Sequence, residues 1–359
     1  MKILDIYLLR EVASPFIVGV LGFSFILSAS LLFNLADLFV NRGVPLINII
    51  KILLYEFPGV LTISFPISAL FATLIGLNRL VREGEITALR IGGIRLTRIF
   101  LPIIIFGIVV SLGNLGISEF IAPWSVHQGE TLIREAIFED PLPVIQNNVF
   151  FKAPDNRYVY LGRYDPSTRT GNDILLYSIP SNSPLQVISA KRVIVENKVW
   201  ILEEGAIHYY DEDGIISLQS KFERLSLNLD VDAETFYKGQ KTTSEMSARE
   251  LKERIDSFKK SGIDTRNLEV DYHLKFSIVF AAAILSLVGS PLSILPVRGG
   301  RFYGLSASLI IVFIYYTILA LGRAFARNGL FSPMFGVWLP NIVGLILGIF
   351  LMFYKERRG

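Results

Sequence analysis

The sequence predicts a membrane α-helical fold of six transmembrane helices with an inserted β jelly-roll domain outside the membrane. Three observations carry that prediction. The 359 residues are 52% hydrophobic with a mean hydropathy of +0.49, and the apolar residues fall in six long runs, too clustered for an ordinary soluble chain. The charges divide: 119–272 holds 25 acidic and 18 basic residues, whereas the rest of the chain holds 7 and 17. Between turn signals, 144–231 alternates apolar and polar residues in the manner of half-buried strands.

The first run spans about 12–39. At 1.5 Å per residue it reaches about 40 Å, beyond the roughly 30 Å hydrocarbon core, so tilt or protrusion is expected. Pro15 sits in its first turn, where proline is tolerated, and Asn34 and Asp37 mark its far end. Lys2 and Arg10 precede it, but the run far exceeds a signal-peptide core and no small-residue cleavage site follows, so it is expected to remain as a span. The second run, 49–77, contains Pro58 and Pro66 and is expected to bend; Glu56 near its entry reads as a headgroup-level residue, with a cavity or a partner facing it as the other reading. The third run is 99–118, and the fourth to sixth are 276–295, 304–321 and 336–353. The tight loop Val297-Arg298-Gly299-Gly300-Arg301 turns the chain between the fourth and fifth.

Six spans put both termini on one side. That side carries twelve bases in its tails and short loops, and the other carries four (Arg42, Lys51, Arg323, Arg327), so the twelve-base side is cytoplasmic. The acidic insert then lies outside, in the periplasm of a cell with two membranes. The organisation expected is 1–121 for helices one to three, 122–272 for the β domain and 273–359 for helices four to six. The net basicity belongs to membrane loops and gives no reason to expect nucleic acid. The absence of cysteine excludes disulfides, thiolate metal sites and thiol chemistry.

Within the insert, seven or eight short strands are expected, with turns at Asn197-Lys198 and Asp213-Gly214. Along 216–229 the apolar positions change phase between Phe222 and Leu225, which predicts a β-bulge. Ser247 and Glu250 then form a capping box ahead of a short helix, 247–261, with Leu251, Ile255 and Phe258 on one face and Gly262 beyond its end.

The stretch Asn78–Arg98 is the long polar interruption between the second and third spans. It holds five arginines, Glu83 and Glu85, with Ile86, Ala88, Leu89 and Ile91 among them. The pattern predicts an amphipathic helix over about 80–91, stopped by Gly92-Gly93. Such a helix at the membrane surface suits docking of a partner that pushes on the spans; a solvated loop obeying the positive-inside rule is the other reading. Catalytic signatures are missing. There is no phosphate-binding loop, no H-E-x-x-H and no G-x-S-x-G, and His127, His208 and His273 have no ligand spacing. The acidic clusters sit at predicted turns, and the scarcity of charges within the spans argues against proton-coupled transport.

These residues resemble one family. The order of three spans, an outer β domain and three spans is similar to the LptF/LptG (YjgP/YjgQ) permeases of the lipopolysaccharide exporter. The likeness is carried by Leu4-Asp5 with Tyr7, by Phe65-Pro66-Ile67 through Gly76-Leu77, and by Arg82-Glu83-Gly84-Glu85-Ile86-Thr87-Ala88-Leu89 with Gly93. Tyr272, His273 and Lys275 open the fourth span in the family's manner, and Pro291-Leu292-Ser293 with Arg298-Gly299-Gly300-Arg301 closes it. The resemblance implies a permease that binds no cofactor, paired with a related LptF/LptG-like subunit on a cytoplasmic LptB-like ATPase dimer that uses ATP and Mg. It implies that the helix between spans two and three enters a groove of that ATPase, with Arg82, Glu83, Glu85, Ile86, Leu89, Arg90 and Gly93 as the docking segment. Glu85 would pair with an arginine while Ile86 and Leu89 fill the groove. It implies lipopolysaccharide as substrate, spans one and five as lateral gates in the inner membrane, and transfer through the β domain to LptC-like and LptA-like bridge proteins. Where some relatives carry lysines on the first span, this chain has Phe33-Asn34-Leu35-Ala36-Asp37; Arg42 is a candidate lipid-contacting base by position, and Lys275 is one because it falls where relatives carry a base at the top of span four, a snorkelling interface anchor being its other reading. The tail and the capping-box helix lean to the G-like subunit. The competing class, a membrane-anchored envelope receptor or scaffold, would need one or two spans rather than six.

Overall fold

In the computed structural model the described residues are 3–42, 44–137, 149–153, 157–165, 170–178, 185–196, 199–210, 216–228, 241–260, 264–294 and 303–358. They divide into two compact units: 1–130 with 243–359, and 131–242. Six helices among them are long and apolar enough to cross a membrane, which makes this a multi-pass membrane protein.

The helical unit begins with α1 (Ile3–Arg42) and α2 (Leu46–Arg82), both longer than their apolar runs because polar turns extend them at each end. A short α3 (Glu85–Ile91) precedes α4 (Leu96–Gly116). The third span was expected to stop near Ser118. Instead the chain makes one π-helical turn, Ile117–Ile121, and continues as α5 (Ala122–Ile137). Glu119 lies in that turn, and its carboxylate accepts from the backbone N–H of Ala248 at 2.8 Å and of Arg249 at 3.4 Å. Those are orphan donors of α6 (Ala248–Lys260), so the charge that looked like a span terminus serves as a cap for another helix. The Ser247–Glu250 capping box also forms: Glu250 accepts from the Ser247 N–H at 2.9 Å and donates its own N–H to the Ser247 hydroxyl at 3.2 Å. Leu251 and Ile255 bury against Leu268 and Tyr272 at the start of α7 (Arg266–Leu292). The helix 247–261, placed in sequence with the β domain, therefore belongs to the helical unit, and the sheet unit is narrower than 122–272. α8 (Tyr303–Arg327) and α9 (Pro333–Arg358) complete the bundle.

The bundle closes around α2, α4 and α7. Small residues let these backbones approach: a Cβ added to Gly107 of α4 would stand 2.7 Å from the Ser286 hydroxyl of α7, and one on Gly289 would stand 2.9 Å from Leu70 of α2. Leu70, Leu74, Ala281, Leu285, Tyr315 and Leu319 form one core; Leu8, Val12, Leu80, Ile99, Phe100 and Ile103 form a second. Asn341 of α9 joins three helices, accepting from the Tyr315 hydroxyl at 2.9 Å and donating to the Ser277 carbonyl at 2.9 Å.

The second unit holds one antiparallel sheet in sequence order, β1 (Val149–Ala153), β2 (Arg157–Asp165), β3 (Thr170–Ser178), β4 (Leu185–Glu196), β5 (Val199–Tyr210) and β6 (Ile216–Asn228). Six strands are described where seven or eight were expected, three of them 12 or 13 residues long. The predicted turns Asn197-Lys198 and Asp213-Gly214 lie outside the described residues. The phase change between Phe222 and Leu225 is present, but it is no one-strand bulge. Asp173, Lys191, Glu204 and Glu223 line up across β3 to β6, and the inward-facing set switches parity at each of them. Asp173 and Glu204 take positive φ, 57° and 52°, so each strand absorbs its extra residue and the ladders stay in register. The register shift that does occur between β5 and β6 lies at Tyr209/Tyr210.

Candidate functional site

The predicted docking helix is two pieces. α2 runs on through Leu80 to Arg82, and Gly84, at φ 76°, breaks it. Only glycine takes that left-handed conformation without a steric penalty. α3 then has seven residues and ends in a Schellman closure: Gly93 N–H to Arg90 O at 2.9 Å and Ile94 N–H to Leu89 O at 3.0 Å, with Gly93 at φ 80°.

Ile86 was expected to fill a partner's groove. It faces inward instead, 2% exposed, in the core formed with Leu8, Leu80, Leu96 and Phe100, and Leu89 packs partly against the same cluster. Helical spacing puts residues 86 and 89 on one face, and that face anchors α3 to its own chain. What α3 turns outward is Thr87, Ala88 and Ile91, flanked by Arg82, Glu83 and Gly93, with Arg90 half-buried. Ile91 is 84% exposed, an outward-facing apolar residue that was not among the docking residues named from the sequence. Its five-residue offset from Ile86 was the available signal.

Polar contacts fasten this segment to the start of α1. The Tyr7 hydroxyl donates to Glu85 Oε2 at 2.7 Å. Arg79 donates to Glu11 at 2.8 Å and to Glu83 at 2.9 Å, and Arg98 pairs with Asp5 at 2.6 Å. The hydrogen bond from Arg79 holds the Glu83 carboxyl below the usual carboxylate range. At the other end of α4's first turn, Glu356 of α9 accepts from the Thr97 N–H at 3.1 Å.

A second site lies about 39 Å along α2 from Arg82, by helical rise to Glu56. It is a cavity of about 410 Å³ lined by Glu56, Glu130, Thr243, Asp271, Lys275 and Arg323, among apolar residues of α2 and α7. Asp271 organises it, accepting from Arg323 at 3.0 Å, from Arg327 at 2.8 Å and from the Thr243 hydroxyl at 3.0 Å. Lys275 thus lines a polar recess. Arg42 ends α1, and its side chain lies outside what the structure describes. The His127 ring meets the buried Glu245 carboxylate at 2.7 Å. Among the described residues no three His, Asp or Glu side chains are grouped to hold a metal ion.

Six spans, an inserted sheet and a short surface helix clamped between spans two and three define a permease-type membrane protein. The family described as lipopolysaccharide export system permease LptF/LptG matches residues 6–354, and the chain belongs to that family. Among curated relatives, LptG of Escherichia coli K12 is 27% identical over 158 residues, a stretch covering 42% of each chain. The chain therefore spans about two fifths of the length of that relative. LptF of the same strain is 20% identical over 322 residues, 87% of this chain and 84% of that one; LptF of Shigella flexneri matches to the same extent. These likenesses point to both paralogues, so they do not separate an F-like from a G-like subunit.

Proposed function

We propose that this chain is a transmembrane subunit of an ATP-driven exporter that moves lipopolysaccharide out of the inner membrane. It works beside a related permease, and a separate cytoplasmic ATPase hydrolyses ATP. Family membership supports the transport role, and the basic loops at 78–98 support a cytoplasmic place for α3. The observation that carries the reading is α3 itself. It is fixed on its inner face by Ile86, tied to α1 by the Tyr7–Glu85 hydrogen bond and flanked by the Asp5–Arg98 pair, so a push on its outward face reaches the spans with little lost in side-chain slack.

The docking segment comprises Arg82, Glu83, Glu85, Leu89, Arg90 and Gly93, with Ile91 and Ala88 in the groove-filling role once given to Ile86. The recess around Lys275 and Arg323 receives the anionic headgroup, and exchange of the arginines from Asp271 to a phosphate is the expected contact there. The sheet unit contributes an open trough of about 780 Å³, lined by Tyr160, Leu175, Ala206 and Phe222 and by the charged Asp173, Lys191, Glu204, Lys221 and Glu223. It accepts acyl chains and hands them to periplasmic bridge proteins of the LptC and LptA kind. The test is Ile91→Asp in the reconstituted exporter. ATPase association and lipid release both fall at least tenfold if α3 docks by its outer face, since a charge buried in an apolar groove costs at least about 1.4 kcal/mol. Unchanged association would remove α3 as the docking element.

A further inference from the structure

The first three turns of α1 hold α3 more closely than docking alone explains. Asp5 reaches Arg98 beyond α3, Tyr7 reaches Glu85 on it, and Glu11 reaches Arg79 before it. Between these polar contacts Leu8 and Val12 are fully buried against Ile86, Leu80 and Phe100. A Cβ on Gly76 would stand 3.0 Å from the Glu11 carbonyl, so α1 and α2 lie close together here. Farther along, α1 is the least covered of the six spans, with 11% of its apolar window buried.

We propose that Tyr7 is a positioning residue for the docked partner. Its hydroxyl fixes the Glu85 carboxylate so that the second oxygen, Oε1, meets a guanidinium or ammonium of the ATPase, and through that bond the load on α3 passes to α1. The inference deepens the docking reading above and rests on it. Glu85 opens a seven-residue helix next to Gly84, with the Glu83 carboxyl in contact beside it, and the Tyr7 phenol at 2.7 Å fixes one of its oxygens and with it the plane of the group. Pre-set geometry of this kind lowers the ordering cost when the cation arrives. Tyr7 makes its contact from α1, so its effect differs from that of any residue on the docking face.

The experiment is a double-mutant cycle on the dissociation constant of the ATPase for the assembled permease in lipid nanodiscs. Tyr7→Phe removes one oxygen and is expected to raise that constant about fivefold, the scale of one hydrogen bond to a charged, partly exposed group. In a Glu85→Ala background the same change is expected to do nothing. Glu85→Asp, which keeps the charge but withdraws it from Tyr7, is expected to weaken docking and to be insensitive to Tyr7→Phe. An unchanged constant for Tyr7→Phe overturns the proposal, and so does an equal loss in both backgrounds, which would place the action of Tyr7 elsewhere. If Glu85→Ala itself has no effect, the docking reading fails and takes this inference with it; the two failures are told apart by that single variant.

Discussion

α2 and α7 differ from α1 and α8 in a way that reads as a division of labour. The central pair have 67% and 61% of their apolar windows buried, the outer pair 11% and 22%. Their sequences differ to match. α2 and α7 bury Ser64, Ser68, Thr73, Ser277, Ser286 and Ser290 together with Gly76 and Gly289, small residues that admit a neighbouring backbone. α1 and α8 instead turn Leu21, Phe25, Ile26, Ile310 and Phe313 outward. Hydrocarbon tails give apolar side chains little reason to leave lipid, so bundles cohere by close packing and polar contacts. The chain has concentrated both in the central helices and left most of the apolar surface of its first and fifth spans uncovered.

Four measurements test the contrast between the central and outer helices. The largest effect should come from Leu70→Ala, since Leu70 is fully enclosed in the central core. The cavity left behind dominates the cost in a membrane, so unfolding in detergent should be easier by about 2–3 kcal/mol, whereas Phe25→Ala on the open face of α1 should change it by under about 0.5 kcal/mol. Equal losses would refute the division. Gly107→Ala comes next, because the added methyl meets Ser286 at 2.7 Å and the Ala283 backbone at 3.1 Å. A loss of about 1–2 kcal/mol by the same measurement is expected.

Asn341→Leu removes the polar junction among α7, α8 and α9, and about 1 kcal/mol should go with it, together with faster hydrogen exchange in α8. Exchange confined to α9 would instead show that α8 is held by other contacts. The smallest effect is on pH. The Glu83 carboxyl is depressed in the folded chain by Arg79, so its contribution is present above the ordinary carboxylate value and fades as pH falls through the lower folded value. Amides of 83–91 should therefore lose protection, relative to their intrinsic exchange rates, as pH falls below the ordinary carboxylate range, and Glu83→Gln should abolish that loss.

The spans were legible because apolar runs of bilayer length hardly occur outside membranes. Their ends were not: Glu119 read as a boundary, and only the packed structure shows it bonded to the N–H groups of a helix far away in sequence. α3 was legible as a helix and not by its faces. Seven residues contain Ile86, Leu89 and Ile91 on two sides, and no periodicity in so short a piece tells which side meets the chain's own α1. In the sheet the parity change at Phe222/Leu225 was visible in one strand, but its meaning depends on what β3, β4 and β5 do at the same level.

That crease at Asp173, Lys191, Glu204 and Glu223 binds four strands into one inheritance. Deleting Glu204 alone would turn every side chain from Gly205 to Tyr210 inside out, sending Ile207 to water, while its neighbours kept the old arrangement. Strand lengths here can change only in concert, so single insertions should survive at the hairpin tips and fail in the middle of the sheet.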